Sequence, residues 1–207
     1  DYIVLTQKPD YKSDPSYINE ENRKHYIELN KLRFLRKYQI LAVNSIQNAV
    51  KQGKDRFLFE MATGTGKTLV SAAVIKLFLR TGNARRVLFL VDRLELEEQA
   101  HKAFIEYLKN DYKTVVYKEN RDDWHKAEIV VSTIQTFLAK NRYKRLFAPD
   151  DFDLVISDEA HRSIGGNSRA VFEYFIGYKL GLTATPKDYL KHIDISELGE
   201  NDPRQLE

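Results

Sequence analysis

The sequence contains no cysteine. Disulfides and thiolate-held metals are therefore excluded, and a reducing compartment such as the cytoplasm is permitted. There is no apolar run near the ~18 residues that a membrane-spanning helix needs. The opening residues lack the basic, apolar and small-residue zones of a signal peptide. The chain starts at Asp1 rather than Met and reads as a piece or processed product of a longer polypeptide. Neither sign of charge dominates: Lys and Arg number 33 against 30 for Asp and Glu, a formal net charge of +3. So small an excess can sit on one face toward nucleic acid or mean nothing. No internal repeat or low-complexity tract is evident. The five histidines are scattered, and His161 has no second ligand at metal-binding spacing.

What is present is an alternation. The 207 residues suffice for one large domain or two small ones. "PSYINEENRKHYIELNKL" reads as a helix with acids early and bases late, the order the helix dipole favours. In "LRKYQILAVNSIQNAVKQG", Leu35, Ile40, Val43, Ile46 and Val50 recur at helical spacing and Gly53 ends the run. Short apolar strands then alternate with helices: "RFLFEM", "RRVLFLVD", "KTVVY", "AEIVVST", "FDLVIS" and "YKLGLTAT". Such continuous apolar strands suit a mostly parallel sheet covered by helices on both faces, an α/β fold. Phe78, Phe104, Phe137, Phe172 and Phe175 fall among other apolar helix residues, so they are expected in the core rather than as base-stacking platforms. "RTGNARR" is either a partner or DNA contact or, more simply, a solvated loop before a strand.

"MATGTGKT", residues 61–68, lies between a strand and a helix. A phosphate-binding loop requires that context. Gly64 and Gly66 permit a tight turn whose N–H groups meet phosphate oxygens, and the following helix points its positive end at the same anion. Lys67 would reach the terminal phosphates of ATP, and the Thr68 hydroxyl would ligate Mg²⁺. The competing reading is a flexible Gly-Thr turn, because Met61 stands where the common pattern has glycine.

"FDLVISDEAH" supplies the complementary half. An apolar strand delivers Asp158 and Glu159 to its carboxyl end, where ligands of parallel sheets bind. Asp158 suits Mg²⁺, a hard cation that keeps several waters, and Glu159 can orient and deprotonate an attacking water. Alone, the pair is equally well two exposed acids opening a turn. Beside residues 61–68, the two read as halves of one ATP site.

In order the chain shows "LRKYQ", "MATGTGKT", "LFLVDRLELEEQ", "VVSTIQTF", "SDEAH" and "GLTATP". This set resembles the first motor domain of superfamily 2 helicases and translocases, a RecA-like P-loop NTPase domain. It most resembles the DEAH-type motor of the restriction subunit of type I restriction-modification enzymes. Type III restriction subunits and DNA-repair or RNA helicases share much of the wording and remain alternatives, as does a degenerate motor used only for binding or assembly. The resemblance places the motor at 33–190, with 1–32 a connector from an upstream domain and 191–207 a linker. In this superfamily the loop often lacks the glycine replaced here by Met61.

The resemblance implies further roles. Gln39 would read adenine with Arg36 and Tyr38 nearby, and Thr63, Gly64, Thr65 and Gly66 would wrap the phosphates ahead of Lys67 and Thr68. Arg93, Thr133 and Gln135 would line a track for double-stranded DNA. His161 would link the nucleotide to Thr183 and Thr185, which would couple hydrolysis to DNA movement. Specificity and methyltransferase subunits would be partners. The arginines that complete such a site belong to a second motor domain, so this chain is expected to turn ATP over slowly or not at all. "KPD" at 8–10 is half of a nuclease motif, but Glu21-Asn22-Arg23 lacks the lysine, and DNA cleavage is not expected.

Overall fold

Side chains along the central strands point alternately to opposite sides, and both sides are apolar. That pattern obliges the chain to cover its sheet twice. In the computed structural model, which describes residues 4, 5, 8, 10–62, 64–108, 111–119, 121–158 and 166–184, helices do so.

The chain begins with β1 (Val4–Leu5), α1 (Pro15–Ile18), α2 (Glu20–Leu29) and β2 (Arg33–Phe34), β1 and β2 pairing antiparallel. There follow α3 (Lys37–Lys51), β3 (Arg56–Glu60), α4 (Lys67–Arg80), β4 (Val87–Val91) and α5 (Leu94–Leu108). The remainder is β5 (Thr114–Val116), β6 (Ile129–Thr133), α6 (Ile134–Leu138), α7 (Arg142–Leu146), β7 (Leu154–Ser157), α8 (Gly166–Tyr174) and β8 (Tyr178–Thr183). Six strands form one parallel sheet in the order β3-β8-β7-β4-β6-β5.

Phe89, Val91, Ile129, Val131, Ile156 and Leu182 face one cluster with α3, α4 and α5; Leu88, Leu90, Val130 and Val155 face the other with α6, α7 and α8. Each fully buried Leu, Val or Phe contributes about 1.5–3 kcal/mol. The five phenylalanines expected in the core are buried there. The second cluster also holds an aromatic stack that the periodicity does not reveal, in which Phe137, Phe147, Phe152 and Phe175 pack at ring-centroid distances of 4.7–6.2 Å.

Two predicted helices are revised. The first predicted helix is two, because the Asn19 side chain accepts from the N–H groups of Glu21 and Asn22 and restarts the helix there. An asparagine offered this bond prefers the cap to the interior. Glu20 and Glu21 occupy the first turn of α2 as expected, but its last turn carries no base. "IQTFLAKNRY" also breaks, since Lys140 and Asn141 take left-handed backbone angles (φ 53° and 52°) between α6 and α7. "RTGNARR" is, as expected, a largely exposed loop before a strand. It precedes β4, where Arg85 and Arg86 N–H groups donate to the Asp153 carboxylate. The Arg86 guanidinium lies over Trp124 and donates to the His125 carbonyl.

The join between α8 and β8 is the tightest point described. A Cβ on Gly177 would lie 2.4 Å from the Asp153 carbonyl. Lys179, 3% exposed, donates to the Phe175 and Gly177 carbonyls, closing the end of α8. Burial, and then the nearby Arg56 guanidinium, push its pKa down to about 8. Arg56 is itself engaged with both Glu173 oxygens at 2.8 and 2.6 Å.

Two outcomes follow from this join. Gly177→Ala is expected to lower the unfolding free energy by about 1–3 kcal/mol, because the clash is with backbone; an unchanged denaturant midpoint would contradict the close approach. For Lys179 the unfolded chain binds the extra proton between pH 8 and about 10.4, so stability rises with pH across that window. The cost of the buried cation is fully present below pH 8 and is relieved as the pH rises. Urea melts from pH 8 to 9.5 are expected to show the rise in the wild type and none in Lys179→Met.

Candidate nucleotide site and adjoining groove

All the parallel strands end at one edge of the sheet, and the motifs read from the sequence collect there. β3 runs into the 61–66 turn, whose first N–H, on Met61, donates to the Thr183 carbonyl at the end of β8 (2.8 Å). The Thr65 hydroxyl and N–H both bond the Ala62 carbonyl. Gly66 caps α4 at φ 86°, a left-handed angle that favours glycine. A Cβ there would also sit 2.6 Å from Gln39 Nε2. The turn thus aims the amino end of α4, with its partial positive charge, across the edge.

Two side chains from α3 hold the turn. Tyr38 Oη and Gln39 Nε2 both donate to the Thr65 carbonyl, at 2.7 and 3.0 Å. Gln39 Oε1 accepts from the Arg36 N–H at 2.8 Å. Gln39 is 1% exposed and its amide braces the 61–66 turn, a task the sequence does not announce. Tyr38, 42% exposed, is the solvent-facing member of the pair.

β7 brings Asp158 to the same edge, its N–H donating to the Leu90 carbonyl (2.9 Å). Lys67 Nζ lies 3.5 Å from Asp158 Oδ1, with the two side chains 11% and 16% exposed. The loop and the acidic strand end, 91 positions apart in the chain, therefore meet. Thr68 lies half-buried in the first turn of α4. Hydroxyl and carboxylate oxygens such as those of Thr68 and Asp158 are the ligand type a hard cation such as Mg²⁺ takes. Among the described residues there is no group of three or more His, Cys, Asp or Glu able to hold a metal. Thr63, Glu159, His161 and Thr185 lie outside the described residues.

A groove of about 590 Å³ opens beside this site, lined in part by Arg93, Thr133, Gln135 and Arg142. The structure so brings the three predicted track residues together, though not equally. Arg93 and Gln135 are exposed, Arg93 Nε lying 3.6 Å from Asp92. Thr133 is 3% exposed. Its hydroxyl accepts from the Thr136 N–H, meets the Thr136 hydroxyl at 2.8 Å and so caps α6 instead of standing free. Thr183 is also 3% exposed and acts on the loop through its carbonyl.

Glu97 is not among the residues expected at the site. It is 2% exposed, accepts from the Thr133 N–H at 3.0 Å and pairs with Lys118 at 3.1 Å. It ties α5 to the end of β6 under the groove. Its spacing signals the burial, since Glu97, Ala100, Phe104 and Leu108 fall on one buried stripe of α5.

Known proteins match this arrangement. A family model described as the res subunit of type III restriction enzymes matches residues 33–188. The endonuclease subunit of the type I restriction enzyme EcoAI from Escherichia coli is 35% identical over 164 residues, covering 74% of this chain and 19% of the relative. The EcoKI endonuclease subunit from Escherichia coli K12 is 31% identical over 185 residues, covering 73% of this chain and 15% of the relative. The chain thus spans less than a fifth of these relatives. Among solved structures, the Sulfolobus solfataricus SWI2/SNF2 ATPase core in complex with double-stranded DNA superposes with a TM-score of 0.64 at 21% identity. That match covers 74% of this chain and 32% of the other, and shows the fold to be that of RecA-like motor domains.

The loop brace is open to test. Gln39→Ala removes a buried bond worth about 1 kcal/mol, so Mg-ATP affinity measured by calorimetry is expected to fall roughly fivefold. Tyr38→Phe removes the exposed bond and is expected to cost less. Equal affinities for both variants and the wild type would show that the brace does not shape the loop.

Proposed function

The chain belongs to the family of the type III restriction enzyme res subunit, and on that premise we propose that it is the ATP-binding motor of a DNA translocase in a restriction enzyme. It is a helicase-like motor domain homologous to the endonuclease subunits of type I enzymes, which favours a type I system. The family description itself keeps a type III subunit as the second reading.

The 3.5 Å approach of Lys67 to Asp158 carries this reading. A cation and an anion on separate motifs, at the carboxyl edge of a parallel sheet, are what an anionic substrate with a metal counter-ion requires. Lys67 would bind the terminal phosphates. The N–H groups of Thr63, Gly64, Thr65 and Gly66 would orient the phosphates before it, and Arg36 with Tyr38 and Gln39 would stand at the base. Thr68 and Asp158 would hold Mg²⁺, which when bound neutralises phosphate charge. Glu159, next in sequence to Asp158, would take the proton of the attacking water.

Arg93 and Gln135 would contact the backbone of double-stranded DNA without reading sequence. Thr133, already spent on α6, would shape the groove, held there by Glu97. Thr183, bonded to the phosphate loop, would with Thr185 and His161 pass the nucleotide state to the DNA track. Specificity and methyltransferase subunits would supply recognition and modification. No helix among the described residues is long and apolar enough to cross a membrane, and a cytoplasmic setting fits the proposed partners.

Phosphoryl transfer gains about 10³–10⁵ in rate from an arginine finger. The resemblance assigns those arginines to a second motor domain, so this chain by itself would bind ATP and turn it over slowly. Calorimetry is expected to show Mg-ATP binding that falls roughly ten- to a hundredfold in Lys67→Ala, the loss of a charge-assisted bond. Glu159→Gln is expected to bind as the wild type does and to abolish residual hydrolysis. Lys67→Ala binding as tightly as the wild type, or turnover by this chain at the rate of a complete motor, would overturn the reading.

A further inference from the structure

Past the groove, the segment from Thr136 to Phe147 carries Lys140, Arg142, Lys144 and Arg145 and no acidic residue. Arg142 is half-buried, lines the groove with Arg93 and Gln135, and donates to the Thr136 carbonyl at 2.9 Å. Lys140, Lys144 and Arg145 are exposed, and no ion pair among the described residues engages any of them.

The segment is not a loose tail. Tyr143 is 3% exposed, with its ring edge-on to Tyr174 of α8 at 5.2 Å. The break at Lys140 and Asn141 costs about 1–2 kcal/mol per left-handed residue. Glycine would relieve that strain, yet a lysine occupies the first position. The basic run is thus anchored at Tyr143, over whose ring Lys144 Nζ lies at 5.6 Å, and is continuous with a groove that also carries Asp92 and Glu95.

We propose that Lys140, Lys144 and Arg145 form a phosphate rail that prolongs the Arg93–Gln135–Arg142 groove along the backbone of duplex DNA. This rests on the reading of the groove as a DNA track. The aromatic rings of the run, Tyr143 and Phe147, are 3% and 5% exposed, so it offers no platform on which unpaired bases can stack. Exposed cations without stacking rings suit backbone contacts, which position DNA and carry no sequence information.

The test is duplex binding by the chain, followed by fluorescence anisotropy as salt is raised, in the wild type and in the triple variant Lys140→Ala, Lys144→Ala, Arg145→Ala. Each lost phosphate contact lowers the steepness of log K against log salt by about 0.9, so the triple variant is expected to lose about 2–3 from the slope. The loss should be equal for two unrelated duplex sequences, with melting temperature and Mg-ATP affinity unchanged. An unaltered slope in the triple variant, while Arg93→Ala still weakens binding, overturns the rail and leaves the groove reading standing. Absence of duplex binding by the wild type overturns both. A loss confined to single-stranded DNA overturns the assignment to duplex.

Discussion

The Lys67 ammonium and the Asp158 carboxylate stand 3.5 Å apart at the carboxyl edge of the sheet, each largely withdrawn from solvent. Withdrawn charges are tolerated only when paired, because the interior cannot solvate them singly. The sheet enforces this pairing. β3 and β7 lie on either side of β8 and run parallel, so the turn after one and the acid after the other must emerge at the same edge. The Met61 bond to Thr183 and the Asp158 bond to Leu90 set their heights. An ion pair at an open edge is also a poised one, since each partner can exchange the other for a phosphate or a metal without leaving its place.

The rest of the molecule supports that edge from three directions. From α3, Tyr38 and Gln39 fix the Thr65 carbonyl, and so the curvature of the turn whose N–H groups an anion would use. From α5, on the same face as α3, Glu97 holds the Thr133 N–H, and Thr133 caps α6 on the other face, so specific bonds link the two layers at the end of β6. At the opposite edge, Arg86, Asp153, Gly177 and Lys179 lock the strand entries. That edge is engaged in packing, while the carboxyl edge is the one that gathers cations, hydroxyls and carboxylates.

Much of this was legible in the sequence because it rests on local pattern. Apolar runs of strand length marked each strand of the sheet, and the Gly-Thr-Gly-Lys-Thr turn needed only a strand before it and a helix after it. Asp158 was legible as the first polar residue after a buried strand. Contacts set by distant partners were harder to read. Asn19 and Lys140 divide helices that periodicity joins, because a cap and a left-handed turn outweigh weak helical propensity there. Thr133 reads as a phosphate-gripping hydroxyl until α6 is seen to consume it. Glu97 reads as surface charge until the buried stripe of α5 is traced through it.

The fold and family make the chain a motor domain, and its chemistry depends on the loop and the acidic strand end serving one ligand. Crystals of the chain grown with Mg²⁺ and a non-hydrolysable ATP analogue test this most directly. The account predicts the terminal phosphates within hydrogen-bond reach of Lys67, with the metal between the Thr68 hydroxyl and the Asp158 carboxylate. A nucleotide bound elsewhere, with the Lys67–Asp158 pair left intact, would contradict it.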